Sequence, residues 1–210
     1  MSEKQYDIIG IRNENGITHQ YMDIEGNIQT IPIDKIASSQ IGIDKILGKL
    51  VSKKQVFLLT EKGIDYIITQ ADLEKAEFKL YMFLLISNYE KEITNALIKK
   101  WDKGRANDIL GKNYKSAEKT VTDQAKNKNN LHIAYYLYFS DKLKLIEKFI
   151  IPNTMRYLIY DGKIDNISKF RNNIAHNKSL YEDNSIEEIF DIEKQLVKMM
   201  KRNCLTIAST

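Results

Sequence analysis

The sequence predicts an α+β protein in two parts: a small α/β module over residues 1–73 and an all-α helical bundle over residues 74–210. Three observations carry this. The first third consists of short apolar pieces separated by Gly, Asn and Asp, the pattern of strands joined by turns. From Asp72 to Trp101 there is no Gly or Pro, and apolar residues recur at helical spacing. The charge balance also changes along the chain. Residues 1–80 carry 10 Lys and Arg against 12 Asp and Glu, whereas residues 81–210 carry 22 against 16.

Within the first part, Asp7–Ile11 reads as a strand and Asn13–Gly16 as a turn. Ile17–Ile24 reads as the returning strand, with Glu25-Gly26-Asn27 as the next turn and His19 on a strand face. Ile31-Pro32-Ile33 is extended, and its proline argues against a central strand. Asp34–Leu50 turns helical, with Ile43, Ile46, Leu47 and Leu50 on one face. Gln55–Thr60 is the clearest strand; Glu61-Lys62-Gly63 is its turn, and Ile64–Thr69 is the strand that follows.

This order of helix, strand, turn, strand and helix, with Gly63 at the turn and Ile67-Ile-Thr-Gln-Ala-Asp72-Leu73 closing it, resembles one CBS motif. The resemblance implies an adenine nucleotide as regulatory ligand, with Thr69 meeting phosphate and Asp72 meeting ribose hydroxyls. Residues 6–33 are then either a worn-down first copy of the motif or an added hairpin. Thr69-x-x-Asp72 is also a capping arrangement for the next helix, and both readings stand at this point.

The second part opens with the long helix to Trp101. Phe78, Met82, Leu85 and Tyr89 form one stripe, continued by Ile93 and Leu97, while Leu80, Phe83 and Leu84 occupy other faces. A helix apolar on every side is expected to be buried on every side. Gly104–Asn130 is polar and basic and reads as one or two less regular helices with a loop at Asn127–Asn130; Ile98–Lys128 holds nine basic residues against four acidic. Such a cluster suits a phosphate backbone or another polyanion, and equally a solvated helix face. Leu131–Ile151 reads as one aromatic helix with Tyr135, Tyr136, Tyr138 and Phe139 in the core and His132 structural near its start, and Asn153–Tyr160 as a short helix. Ile164–His176 places Ile167, Phe170 and Ile174 on one side, and Ser185 caps a last helix with a stripe of Ile189, Ile192, Leu196 and Met199.

On the second-to-last helix stands Phe170-Arg-Asn-Asn-Ile-Ala-His-Asn177. Asn172 and His176 are four residues apart and share a helix face. Arg171 and His176 are five apart, roughly 140° around the axis, so an unbroken helix aims them apart. Either the helix loosens between them or a second copy of the chain supplies the missing group. Arg and His near a helix end also interact favourably with its last carbonyls.

The Arg171, Asn172 and His176 spacing resembles the signature of the HEPN superfamily of helical domains. That resemblance implies a metal-independent endoribonuclease whose site is shared across a homodimer. Asp141-Lys142, after Phe139-Ser140, is reminiscent of proteins that join a CBS motif to such a domain. Some ribonuclease members have Tyr two residues after the His, where this chain has Lys178.

Composition narrows the alternatives. Hydrophobic residues at 43% and charged ones at 29% are ordinary for a globular protein. The longest apolar run, Leu80–Ile86, is far short of the ~20 residues that span a bilayer. No signal-peptide core precedes it, and Cys204 alone forms no internal disulfide, so the expected location is the cytoplasm. Three dispersed histidines and one cysteine show no metal-ligand spacing, so no metal and no required cofactor is expected.

RNA supplies its own nucleophile, the 2′-hydroxyl. Cleavage then needs an acid/base (His176), a cation for the phosphate (Arg171) and an orienting group (Asn172). The alternative is a non-catalytic nucleotide-sensing regulator that dimerises and docks RNA or protein, within a bacterial defence or toxin–antitoxin system.

Overall fold

The computed structural model of the protein describes residues 8–14, 18–127, 130–149 and 164–201. Among these the fold is mixed α and β, with two three-stranded sheets and seven α-helices. The chain forms two compact units: Met1–Phe78 with Ser185–Phe190, and Lys79–Asn184 with Asp191–Thr210. The short helix expected at residues 153–160 and Cys204 lie outside the described residues.

In the first unit, β1 (Ile8–Arg12), β2 (Thr18–Asp23) and β3 (Ile28–Thr30) form an antiparallel sheet in that order. The β2–β3 turn uses Gly26 at φ +84°, a conformation that costs glycine little. Asp23 locks this turn: its carboxylate accepts the Glu25 and Asn27 backbone N–H groups at 3.0 and 2.9 Å, and the Gln29 amide at 3.1 Å.

The second sheet contains an element the sequence reading missed. Residues 36–38 were expected to be helical but form a strand, β4 (Ile36–Ser38), parallel to β5 (Gln55–Thr60). Three residues show no periodicity of their own, and pairing with β5 fixes their conformation. Between them runs α1 (Ile43–Lys53), and β6 (Gly63–Thr69) returns antiparallel to β5. Successive strand residues point to opposite faces. Phe57 therefore meets Tyr21 of the first sheet, with ring centroids 5.4 Å apart, in a buried cluster with Ile31 and Ile64. Val56 is fully buried on the opposite side of β5, which packs against α1, where Leu47 and Leu50 are also fully buried.

The long helix starts later than its composition suggests. Gln70–Glu74 is a 3-10 turn, Lys75 is extended, and α2 spans Ala76–Lys99. Met82, Ile86, Tyr89, Ile93 and Leu97 are buried as expected. Leu80, Phe83 and Leu84, however, are 58%, 38% and 53% exposed, which corrects the expectation of burial on all sides. Their spacing puts them on one face, which the single chain leaves to solvent.

All other described elements of the second unit are helical as well. Two regular helices, α3 (Lys103–Leu110) and α4 (Lys112–Lys126), meet at Gly111, φ +53°. The single aromatic helix expected at 131–151 is divided. A 3-10 turn at Ile133–Tyr136 is capped by His132, Leu137 is extended, and α5 (Phe139–Phe149) begins after it. Tyr135 and Tyr138, expected in the core, are 46% and 71% exposed. α6 (Ile164–Ala175) buries Ile167, Phe170 and Ile174 as expected. α7 (Ile186–Lys201), whose residues up to Phe190 belong to the first unit, opens with a reciprocal cap, in which Glu188 accepts from the Ser185 N–H at 2.8 Å and donates its own N–H to the Ser185 hydroxyl at 3.2 Å.

Candidate functional site

The helix does not loosen between Arg171 and His176. α6 continues to Ala175, and the His176 N–H still donates to the Asn172 carbonyl at 3.0 Å. The chain turns immediately afterwards. Asn177 takes φ +51°, its N–H reaches the Ile174 carbonyl at 3.1 Å, and the Lys178 N–H reaches Asn173 at 2.8 Å. These two bonds form a Schellman cap, with Asn in the left-handed position that usually holds Gly. His176 is thus the last residue before the reversal, and its side chain is exposed. Lys79 of α2 steadies this turn by donating to the Lys178 carbonyl at 2.9 Å.

Asn172 is exposed and Arg171 half-buried. The Arg171 guanidinium donates to the Asn172 side-chain oxygen at 3.3 Å. Asn172 lies about 100° around the helix from Arg171 and only about 40° from His176. The guanidinium therefore leans toward the face that carries the imidazole. The next residue, Asn173, is 5% exposed and donates to Asp183 at 3.0 Å, holding the loop after the cap. The two adjacent asparagines have opposite surroundings, one facing solvent and one inside.

Thr69 and Asp72 lie together in the first unit. Asp72 reaches back to accept the Thr69 N–H at 2.7 Å and its hydroxyl at 3.2 Å, while Lys75 pairs with its other oxygen at 2.6 Å. Burial alone would push the Asp72 carboxyl up, but the Lys75 ammonium and the Thr69 donors outweigh it and hold it below the usual carboxylate range. Both Asp72 oxygens thus cap and pin the 3-10 turn.

Beside this turn the first unit has an open cavity of about 750 Å³, lined in part by Thr69, Tyr21, Lys35, Lys53 and Lys54. Lys53 is paired with Asp34, and Lys35 stands over the Tyr21 ring, 5.7 Å from its centroid. Lys54 closes α1 in the left-handed region, φ 61°. This cavity has no local sequence signature, because its residues come from both sheets and α1.

Asp141 and Lys142 turn out to be buried charges, 1% and 4% exposed. Asp141 sits in the first turn of α5 and accepts from the Asn113 amide at 3.0 Å on each oxygen; the Lys142 ammonium pairs with Glu90 of α2 at 2.7 Å. Their partners lie 28 and 52 residues away, so local sequence could not reveal the pairing. Among the described residues, no three His, Cys, Asp or Glu side chains group to hold a metal ion, and no helix is long and apolar enough to cross a membrane.

Compared with protein-family models, with curated proteins and with solved structures, the chain matches none.

Proposed function

We propose that the protein is a homodimeric, metal-independent endoribonuclease of HEPN type, acting through Arg171, Asn172 and His176. The observation that carries this reading is the bond from the Arg171 guanidinium to Asn172, a residue that shares its helix face with the exposed imidazole of His176. His176 takes the proton from the 2′-hydroxyl as that oxygen attacks the adjacent phosphorus. Arg171 grips the phosphate as negative charge builds on it. The 5′-oxygen then leaves with the proton returned by the imidazolium, and the products carry a 2′,3′-cyclic phosphate and a 5′-hydroxyl.

Because the helix is unbroken, the imidazole and guanidinium of one copy still diverge. A twofold partner completes the site, with Arg171 of one copy facing His176 of the other. The exposed Leu80, Phe83 and Leu84 support this reading. Lys79, next to Leu80 in sequence, is bonded to the turn that follows His176. An apolar patch beside the motif suits a contact between copies.

The test is to incubate purified protein with RNA in EDTA. Cleavage leaving cyclic-phosphate ends is expected, together with its loss in His176→Ala and Arg171→Ala proteins whose thermal unfolding is unchanged. Intact RNA under all conditions overturns the proposal.

The cavity beside Thr69 favours a second reading, in which a bound adenine nucleotide regulates the protein. Its volume, about 750 Å³, suits a ligand of that size, and Lys54 suits its phosphates. In this reading the chain is a nucleotide-sensing regulator that docks RNA or protein without cutting it. Thermal stabilisation by nucleotide with RNA left intact is the outcome that favours it.

A further inference from the structure

The cavity of the first unit is lined by charges of both signs, and they come from different elements. Lys35 ends the 3-10 turn Ile33–Lys35, and Lys53 and Lys54 close α1. The carboxylates are Asp23 and Glu25, both from the β2–β3 turn. Neither carboxylate forms an ion pair with a lysine among the described residues; their bonds stay within the turn. Asp23 accepts the Asn27 and Glu25 N–H groups and the Gln29 amide, and Glu25 accepts the Asn27 amide at 3.2 Å. The Asn27 N–H, followed by the other donors, holds the Asp23 carboxyl below the ordinary carboxylate range, so it is charged at neutral pH.

The lysines are not equivalent. Lys53 is committed to Asp34, whose carbonyl also accepts from Lys49 at 2.8 Å. Lys35 adds a weaker pull on the Asp34 carboxylate, from beyond ion-pair distance. Lys35 and Lys54 form no ion pair among the described residues. Lys35 is half-buried over the Tyr21 ring, and Lys54 is exposed. Taken with Asp34, the three lysines meet three carboxylates, so the cavity offers two cations to an anion but has no positive charge in excess. A single phosphate monoester, with a charge of about −1.5 to −2 at neutral pH, is balanced by two ammonium groups. A triphosphate brings about two further negative charges into a cavity that already holds Asp23 and Glu25, and like charges repel. The carboxylates accept hydrogen bonds instead, which the hydroxyl and amino groups of a nucleoside donate.

We infer that the cavity selects a nucleoside monophosphate over the corresponding triphosphate, with Lys35 and Lys54 holding the single phosphate and Asp23 and Glu25 repelling a longer phosphate chain. This rests on the reading of the cavity as a nucleotide site and adds the phosphorylation state to which it responds.

The experiment measures the affinity of the full-length protein for adenosine, adenosine monophosphate and adenosine triphosphate by calorimetry, in EDTA so that the triphosphate keeps its full charge. The monophosphate should bind about tenfold more tightly than the triphosphate, or better. Lys35→Gln with Lys54→Gln should weaken monophosphate binding about tenfold or more and leave adenosine binding unchanged. Glu25→Gln removes one exposed charge without removing the acceptor for Asn27, and should narrow the preference for the monophosphate severalfold. Because Glu25 lies outside the core, this variant tests the selectivity separately from the lysines, and the unfolding temperature of each variant without ligand checks its fold. Triphosphate binding as tight as monophosphate binding overturns the inference while the nucleotide reading stands. An unchanged preference in Glu25→Gln, or unchanged monophosphate affinity in the lysine variant, does the same. If none of the three compounds binds, the nucleotide reading itself falls and the inference goes with it.

Discussion

The Arg171 guanidinium donates to the Asn172 side-chain oxygen at 3.3 Å, and Asn172 lies one helical turn before His176 on the same face. In the proposed nuclease, this bond makes Asn172 a positioning residue for the cation. Asn172→Ala frees the guanidinium to swing back over its own face, so cleavage should slow by about tenfold to a hundredfold without a change in thermal stability. Removing the group proposed to carry the proton should be more severe: His176→Ala should cost about 10²- to 10⁴-fold. Single-turnover cleavage assays read both effects.

A site shared between copies has a consequence that one held within a chain lacks. Arg171→Ala and His176→Ala proteins, each inactive alone, should regain about a quarter of wild-type activity when unfolded and refolded together in equal amounts. Each mixed dimer, about half of the total by random pairing, contains one intact pair of groups and one doubly defective pair. No recovery would place both groups in the same subunit.

The turn after α6 depends on an asparagine in a left-handed conformation, φ +51°. Asn177→Gly should leave the protein as stable as before or slightly more so. Asn177→Val should destabilise it by about 1–2 kcal/mol and impair the function of His176 beside it. Urea unfolding checks the first part, and cleavage assays the second.

Asp72 ties stability to acid. Its folded pKa lies below the unfolded value, so its contribution is present above the ordinary carboxylate range and is lost as pH falls through the folded value. Asp72→Asn should remove that acid-dependent part and, at neutral pH, cost about 1 kcal/mol for the weakened cap. Thermal unfolding followed from pH 7 down to pH 3 separates the two.

His132 has the opposite charge type. Burial pushes its imidazole below the ordinary value of about 6.5, and its Nδ1 is needed unprotonated to accept the Ala134 N–H. The unfolded chain therefore takes up the proton first, and stability falls as pH drops from about 6.5 through the folded value. Trp101, the sole tryptophan, lies against this ring. Its fluorescence should titrate with a midpoint below 6.5, and the titration should vanish in His132→Asn.

How far the sequence was legible depended on the range of the forces involved. The β5–β6 hairpin could be read because two short apolar, β-branched and aromatic runs flanking Gly63 encode it within a few positions. β4 could not, since its partner β5 lies across α1. The break at Leu137 escaped notice because apolar and aromatic residues fill both sides of it, leaving no change of pattern to mark where the helix stops. At the candidate site, the shared face of Asn172 and His176 followed from helical spacing alone. The lean of Arg171 onto Asn172 did not, because a side-chain rotamer decides it. Nor did the burial of Asp141 and Lys142, which depends on Asn113 and Glu90 arriving from other helices.

Lys54 closes α1 in a backbone geometry that suits glycine better, and its side chain stands at the cavity wall. A Lys54→Gly protein should melt at a higher temperature and yet hold phosphate-bearing compounds less well. Under the proposed nucleotide reading, thermal robustness and ligand capture favour different amino acids at this position.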